Sequence, residues 1–201
     1  MLSLIIIDKI ILYSNCATII KMKNVNKMLD NIIIVKKINK TINHYMMKDR
    51  ELKKYLQLEV LDISNNYHIV TNIKKLVNLT HLNCRGTNII DQAFTFKLSE
   101  GIGNFNLKYL NCSRTNITDE GIKHLVTLKY LNCNYCFRIT NEGIKNLVNL
   151  THLSRGWTGI THEGIINLIN LKKLYHPNGD IEIIKQMLPN CEIKNRYQIA
   201  K

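Results

Sequence analysis

The sequence Leu107-Lys-Tyr-Leu-Asn-Cys112 occurs again, unchanged, as Leu128-Lys-Tyr-Leu-Asn-Cys133. A close variant, Leu79-Thr-His-Leu-Asn-Cys84, precedes both, and its first four residues return as Leu150-Thr-His-Leu153. Weaker copies begin at two further leucines, so the six copies start at residues 58, 79, 107, 128, 150 and 171. The steps between them are 21, 28, 21, 22 and 21 residues, which indicates an array of internal repeats.

A second signature follows the first one in three of the copies. Its most complete form is Asn116-Ile-Thr-Asp-Glu-Gly-Ile-Lys-His-Leu125, and it recurs within residues 138–147 and 159–168. The first signature alternates with period two, which predicts a strand with one buried face. The second has the three-residue spacing of a short helix. The acidic residues near its start suit the positive end of a helix, and its threonine is positioned to cap it, at Thr118, Thr140 and Thr161.

These repeats resemble the cysteine-containing subtype of leucine-rich-repeat proteins. The resemblance covers residues 58–193, in about six repeats. It implies an α/β solenoid with parallel strands on a concave face and helices on a convex face. A single repeat cannot bury its own leucines, so we expect the stacked array to be the folding unit.

Three of the six cysteines occupy the same inward strand position, namely Cys84, Cys112 and Cys133. We predict that they are small buried hydrophobic groups rather than disulfide partners. Cys133 and Cys136 form a C-x-x-C pair, but Cys136 lies where Thr115 lies in the preceding repeat, at a position that bonds backbone in a turn. We therefore expect no redox or zinc site, no other metal and no cofactor.

The second and fifth repeats depart from the pattern. Arg155 takes the inward cysteine position of the fifth repeat. Because burying an unpaired guanidinium is costly, we predict a local shift that turns Arg155 outward. The only tryptophan, Trp157, either fills the resulting gap or stands exposed as a binding anchor. The second repeat is longer than its neighbours, around residues 90–105, and forms either a longer helix or a loop there.

Residues that alternate with the inward leucines must point away from the core. Tyr109, Asn111 and Ser113 of the third repeat, with their equivalents, therefore form three outward stripes. Aromatic residues among polar amides are typical of protein-binding surfaces, although asparagine is abundant everywhere in this chain. The candidate target-binding residues of the concave face are His81, Asn83, Arg85, Tyr109, Asn111, Tyr130, Asn132, His152, Trp157 and Tyr175.

The segment before Leu58 lacks the repeat pattern. When Leu2 is set on the first leucine of the F-box motif, an ungapped alignment matches several apolar positions, although Ser3 replaces the motif's proline. Residues 1–40 thus resemble a degenerate F-box, and an F-box followed by cysteine-containing repeats is a known architecture. The resemblance implies docking on a Skp1-like adaptor protein through Leu2, Ile6, Ile10, Ile19, Met22 and Val25.

The chain is accordingly divided into a degenerate F-box-like helical region (1–40), a linker helix (41–57), the leucine-rich repeats (58–193) and a C-terminal tail (194–201). The function that the resemblance implies is that of a substrate-recognition subunit of an SCF-type (Skp1–cullin–F-box) ubiquitin ligase. Its repeats would hold an unknown target protein, and the chain would be a monomer outside the complex. The alternative is a leucine-rich-repeat scaffold or decoy with a helical N-terminal cap and no ubiquitin-ligase link.

Composition argues against several other classes. The net charge is +13, but the basic residues occur in scattered pairs without a nucleic-acid-binding motif, which disfavours a nucleic-acid partner. No segment approaches the roughly 18 apolar residues of a membrane span. No nucleophile–base pair or phosphate-binding loop indicates an enzyme. We expect an intracellular, cytoplasmic protein, with the nucleus left open. The Lys-, Asn- and Ile-rich composition is similar to that of AT-rich protists and large DNA viruses.

Overall fold

The computed structural model describes residues 59–65, 73, 76–94, 106–176 and 181–195, together with the backbone of residues 37–39. The Skp1-contact residues, the predicted linker helix and residues 95–105 of the insertion lie outside the described residues. The predictions made for those segments therefore stay predictions.

Within the described residues, eight strands form one parallel sheet whose order follows the chain. Neighbouring strands pair in a single register, in which Leu61 lies opposite Leu82 and Leu110 opposite Leu131. The chain must return across one face of the sheet between parallel strands, as a repeat solenoid does. The predicted α/β leucine-rich-repeat fold is confirmed. The strands are β1 (Lys37–Asn39), β2 (Val60–Asp62), β3 (His81–Asn83), β4 (Tyr109–Asn111), β5 (Tyr130–Asn132), β6 (His152–Ser154), β7 (Lys173–His176) and β8 (Glu192–Asn195).

The sheet begins one strand earlier than the repeat pattern indicates. Strand β1 pairs with β2, and Ile38 lies opposite Leu61. Val35 precedes Ile38 by three residues, as Leu58 precedes Leu61, but the two leucines of the motif are replaced, which hides the copy. Residues 37–39 were expected within the helical region 1–40. That expectation is wrong for these three residues, which form a strand paired with β2.

The inward residues of the strands form two continuous rows in the core. The first row is completely buried and consists of leucines, at Leu61, Leu82, Leu110, Leu131, Leu153 and Leu174. The second row is the expected cysteine position. The thiols of Cys84, Cys112 and Cys133 donate to the carbonyls of Asn111, Asn132 and Ser154 on the next strand, at 3.3, 3.5 and 3.4 Å. The five cysteines in the described part of the chain are free thiols, as expected for buried packing groups.

Short helices cover the other side of this core. They are a 3-10 helix (Asp91–Ala93), α1 (Asp119–Ile122), α2 (Asn141–Ile144), α3 (His162–Ile165) and α4 (Ile181–Met187). The predicted caps form at α1 and α2, where the hydroxyls of Thr118 and Thr140 each accept from a backbone N–H two residues on, at 3.2 Å. The prediction of a third cap, by Thr161 at α3, is wrong, because the Thr161 hydroxyl donates to the Glu163 carboxylate instead.

The first residue of the 3-10 helix, of α1 and of α2 holds the next repeat in register. The Asp119 carboxylate accepts from the backbone N–H and the hydroxyl of Thr140, both at 2.7 Å. Asp91 makes the same pair of bonds to Thr118, at 2.9 and 2.7 Å, and Asn141 replaces the aspartate at the next step. Charge-assisted hydrogen bonds of this kind are stronger than neutral ones, so they lock neighbouring helices together.

This carboxylate ladder explains the glycine of the second signature. A Cβ at Gly143 would overlap the Asp119 carboxylate and lie 3.1 Å from the Asp119 Cα. A Cβ at Gly121 would likewise lie 2.5 Å from Oδ1 of Asp91. Glycine is therefore required where the preceding repeat inserts its carboxylate, and not because of a special backbone conformation.

Arg155 does not turn outward. It is 94% buried, and its Nη1 donates to the carbonyl of Ile160. The prediction of a local shift is wrong, because the register of β6 keeps position 155 on the core side. In that position the guanidinium donates a hydrogen bond to the carbonyl of Ile160, five residues along the chain.

The repeats end with α4 and β8. The repeats were expected to end at residue 193, but the last strand spans Glu192–Asn195 and pairs with β7, so the repeats extend two residues further than predicted. At the insertion, the described part is the 3-10 helix Asp91–Ala93, after which Phe94 is buried. Among the described residues, no helix is long and apolar enough to cross a membrane.

We expect Gly143→Ala to lower the free energy of unfolding by about 2 kcal/mol or more, because the methyl group displaces the Asp119 carboxylate from Thr140. Urea denaturation measures the loss, with Asn146→Ala at an exposed neighbouring position as the control. In an Asp119→Ala background there is no carboxylate to displace, so the same glycine substitution should lower the free energy of unfolding by less. An equal cost in both backgrounds would contradict the ladder.

Candidate functional site

Four aromatic rings form a ladder across the middle of the concave face. The rings of Tyr109 and Tyr130 stack with centroids 4.3 Å apart and an interplanar angle of 12°. His81 stacks on Tyr109 at 5.8 Å, and His152 lies 6.0 Å from Tyr130 at a tilt of 31°. The parallel register makes these four residues direct partners on β3 to β6, so one outward position becomes a continuous surface.

The ladder is uncharged in its centre at neutral pH. Burial raises the pKa of Tyr130 to about 12, and the neighbouring Tyr109 adds to the effect. Burial also raises the pKa of Tyr109. For His152, burial and then Lys173 and Lys172 lower the pKa, which favours the neutral ring. The part of the ladder formed by Tyr109, Tyr130 and His152 is therefore a neutral aromatic strip.

The asparagines beside the ladder stabilise the turns that follow the strands. The side-chain oxygens of Asn83, Asn111 and Asn132 each accept from a backbone N–H two residues on, at 3.3, 3.2 and 3.2 Å. This is the pattern of an Asx turn, which bends the chain out of each strand. Asp62 does the same at β2, and its other oxygen accepts from Asn83. These residues do face outward as predicted, but the turn explains their identity without a ligand.

The third predicted stripe is largely buried. Ser113 and Asn134 were expected to point outward, yet they are 1% and 4% exposed. The Asn134 amide donates to the Ser154 hydroxyl at 2.6 Å, and its oxygen accepts from the backbone of Gly156 at 2.6 Å. The chain leaves the strand at this position, so the simple alternation stops. Arg85, which belongs to this stripe, is partly exposed, as are Tyr175 and Lys173 of the other two stripes.

Trp157 does not fill a gap in the core. Its side chain is 57% exposed and stacks on Tyr135, with centroids 6.0 Å apart and planes 8° apart. The Arg114 guanidinium carbon also contacts this ring, at 4.8 Å from the Tyr135 centroid. Arg114 and Tyr135 were not among the residues predicted from the sequence. The repeat spacing contained the signal, since both occupy the position of Trp157 in the two preceding repeats.

The structure brings some of the predicted concave-face residues together and places others elsewhere. The structure brings together His81, Tyr109, Tyr130 and His152, and it places Trp157 at the edge of the face rather than on it. Within the residues described, no cluster of three or more His, Cys, Asp or Glu side chains could hold a metal ion. Burial raises the pKa of Cys84 and of Cys133, which keeps these thiols protonated and suits packing.

Comparisons with known proteins support the fold. No protein-family model matches the chain, and no curated protein sequence matches it significantly. An internalin (inlF) from Listeria monocytogenes is similar in structure, with a TM-score of 0.55 at 18% identity over 71% of this chain. The functional domain of InlJ from the same organism, which includes a cysteine ladder, has a TM-score of 0.51 at 22% identity over 80% of this chain.

A TLR13–ssRNA13 complex is also similar, with a TM-score of 0.53 at 22% identity over 73% of this chain. The matches cover 42%, 35% and 22% of the three known chains, so this chain spans less than half of their length. At these identities the likeness is one of fold alone.

We expect the stability of the fold to decline as the pH rises from about 10 to about 12, because of Tyr130. The unfolded chain releases the phenolic proton near the ordinary pKa of about 10, whereas the folded chain holds it until about 12. This part of the stability is complete below pH 10 and is lost as the pH approaches 12. In Tyr130→Phe, urea denaturation should show a shallower decline over that range. Parallel curves for the two proteins would refute the assignment.

Proposed function

We propose that this leucine-rich-repeat solenoid is a protein-binding scaffold that holds a partner protein on its concave face. The observation that supports the proposal is the ladder of His81, Tyr109, Tyr130 and His152. These rings are only partly buried by the fold, and their mutual stacking fixes their positions before any partner arrives. Pre-ordered aromatic groups lose little entropy on binding, which favours affinity.

The surroundings of the ladder fit a protein partner. Four strands at about 4.8 Å spacing give a strip roughly 15 Å long. Asparagine amides flank it, and Lys173 and Glu192 form an ion pair at 3.7 Å at its C-terminal end. An apolar aromatic centre with a polar and charged border is the usual composition of a protein–protein interface. We propose no catalytic step at this surface.

A variant pair on the ladder tests this proposal. Proteins captured from a lysate by the wild-type chain should be lost from Tyr109→Ser/Tyr130→Ser, with an affinity about tenfold or more weaker for the purified partner. Lys145→Ser/Asn146→Ser alters exposed residues on the helix side and is the matched control. The control should capture what the wild-type protein captures. If the ladder variant is folded and still captures the same proteins, the concave face is not the binding site.

We further propose that the scaffold is the substrate-recognition subunit of an SCF-type ubiquitin ligase. The support comes from the sequence of residues 1–40, whose apolar pattern resembles a degenerate F-box, and from the order of that segment before the repeats. The adaptor contacts would be Leu2, Ile6, Ile10, Ile19, Met22 and Val25. The target protein would then occupy the concave face. A scaffold or decoy without a ligase partner is the competing proposal.

A pull-down with a eukaryotic Skp1 protein separates these two proposals. The full-length chain should retain Skp1, and Ile10→Asp/Val25→Asp should not, because a charge in an apolar docking helix disrupts the contact. Ile169→Asp is the matched control, since Ile169 is 81% exposed on the repeats. If both variants retain Skp1, or if neither the wild-type chain nor the variants retain it, the ligase proposal fails and the scaffold proposal stands.

A further inference from the structure

One backbone position repeats with a left-handed conformation at the end of the strand turn. Its φ angles are 57°, 63°, 59°, 62° and 61° at Asn65, Gly86, Arg114, Tyr135 and Trp157. In the first four, the backbone N–H donates to a carbonyl of the next repeat, at 2.7 to 2.9 Å. The conformation is therefore part of the solenoid, whichever side chain occupies the position.

The side chains at this position are not those that folding prefers. Glycine and asparagine adopt the left-handed region at least cost, and the first two repeats have Asn65 and Gly86 there. The next three repeats have Arg114, Tyr135 and Trp157, whose bulky side chains make the same conformation more costly. The chain contains many asparagines, so the composition does not force this choice. Some benefit other than the turn itself must offset the cost.

These three side chains form a rigid edge. The Arg114 guanidinium covers one face of the Tyr135 ring at 4.8 Å, and Trp157 stacks against that ring at 6.0 Å from the next repeat. Phe137, two residues along from Tyr135, is 72% exposed. Tryptophan, tyrosine and arginine are the residue types that most often anchor protein interfaces. Here they are already ordered, and Arg114 and Trp157 are exposed whereas Tyr135 is half-buried.

A pocket of about 400 Å³ opens beside the stack. Arg114, Tyr135, Phe137 and Arg138 line it, together with Thr115 and the buried Ile117. The lining contains two guanidinium groups and no carboxylate, so its charge is positive. The whole pocket is large enough to accept one side chain, and the rings of Tyr135 and Phe137 give it an apolar wall.

We propose that this turn-edge site, defined by Arg114, Tyr135, Phe137, Arg138 and Trp157, binds a short acidic segment of a partner protein. An apolar side chain of the segment enters the pocket against Tyr135 and Phe137. A neighbouring carboxylate pairs with Arg114 and Arg138, whose planar donors suit carboxylate recognition. The site lies beside the concave face, and it does not depend on the partner proposed for that face.

The same residue types occur in sites for single-stranded nucleic acid, but their arrangement here favours a peptide. A base platform needs open ring faces on which successive bases can stack. Arg114 and Trp157 already lie against the Tyr135 ring, at 4.8 and 6.0 Å from its centroid, so part of its surface is occupied. The pocket also has two cationic side chains rather than a basic track along a backbone.

Selection from a displayed library of short random peptides tests the site with the full-length chain. We expect the enriched peptides to combine Asp or Glu with a neighbouring Leu, Phe or Trp. A fluorescein-labelled copy of an enriched peptide should bind Arg138→Glu about tenfold or more weakly. Tyr109→Ser/Tyr130→Ser should bind it as the wild-type chain does, which separates this site from the concave face. Failure to enrich acidic peptides, or unchanged binding by Arg138→Glu, would overturn the proposal.

Trp157→Asn distinguishes binding from support of the fold. Asparagine is compatible with φ of 61°, so the variant should be at least as stable as the wild-type chain in urea denaturation followed by circular dichroism. It should nevertheless bind the labelled peptide about tenfold or more weakly. A clear loss of stability would assign Trp157 to the fold. Tighter binding of a labelled oligothymidine, lost in the same variants, would replace the peptide by a nucleic acid.

Discussion

The contact between one repeat and the next is the interaction on which this structure depends. In the part of the chain that the structure describes, no strand exceeds four residues and the helices of the central repeats have only four, so none of these elements is stable alone. Stacking buries the leucine rows and pairs every strand with its neighbours. On the helix side the carboxylates of Asp91 and Asp119 bond the following threonine, and a glycine leaves room for each of them. Core, sheet and helix layer are thus aligned by the same translation.

The same translation turns single positions into surfaces. An inward position becomes the row of thiols that donate to the next strand, and an outward position becomes the ladder centred on Tyr109 and Tyr130. A turn position becomes the stack of Tyr135 and Trp157. Surfaces of this kind require no special loop. They require only that the repeats keep register while the side chain at one position changes from small to aromatic.

Arg155 and the asparagines show where sequence reasoning fails for physical reasons. The inward position of Arg155 was recognisable from the register, but its burial was rejected on the cost of a buried charge. The carbonyl of Ile160, which accepts from Arg155, comes from the local turn and has no signature in the sequence. Likewise, Asn111 and Asn132 look like ligand groups until the backbone N–H groups that they accept are located.

The resemblance to leucine-rich repeats implied the parallel order of the strands. The sequence by itself determined the repeat length, the inward leucine and cysteine rows and the outward direction of the aromatic ladder. It could do so because a residue's side of a strand depends only on spacing, and the spacing repeats. Tertiary structure alone decided that Arg155 is buried, that Ser113 turns inward, and that a strand at residues 37–39 precedes the first recognisable copy. It also decided that Arg114, Tyr135 and Trp157 meet at one edge. Those outcomes depend on turn geometry and on contacts between repeats, which a linear pattern does not contain.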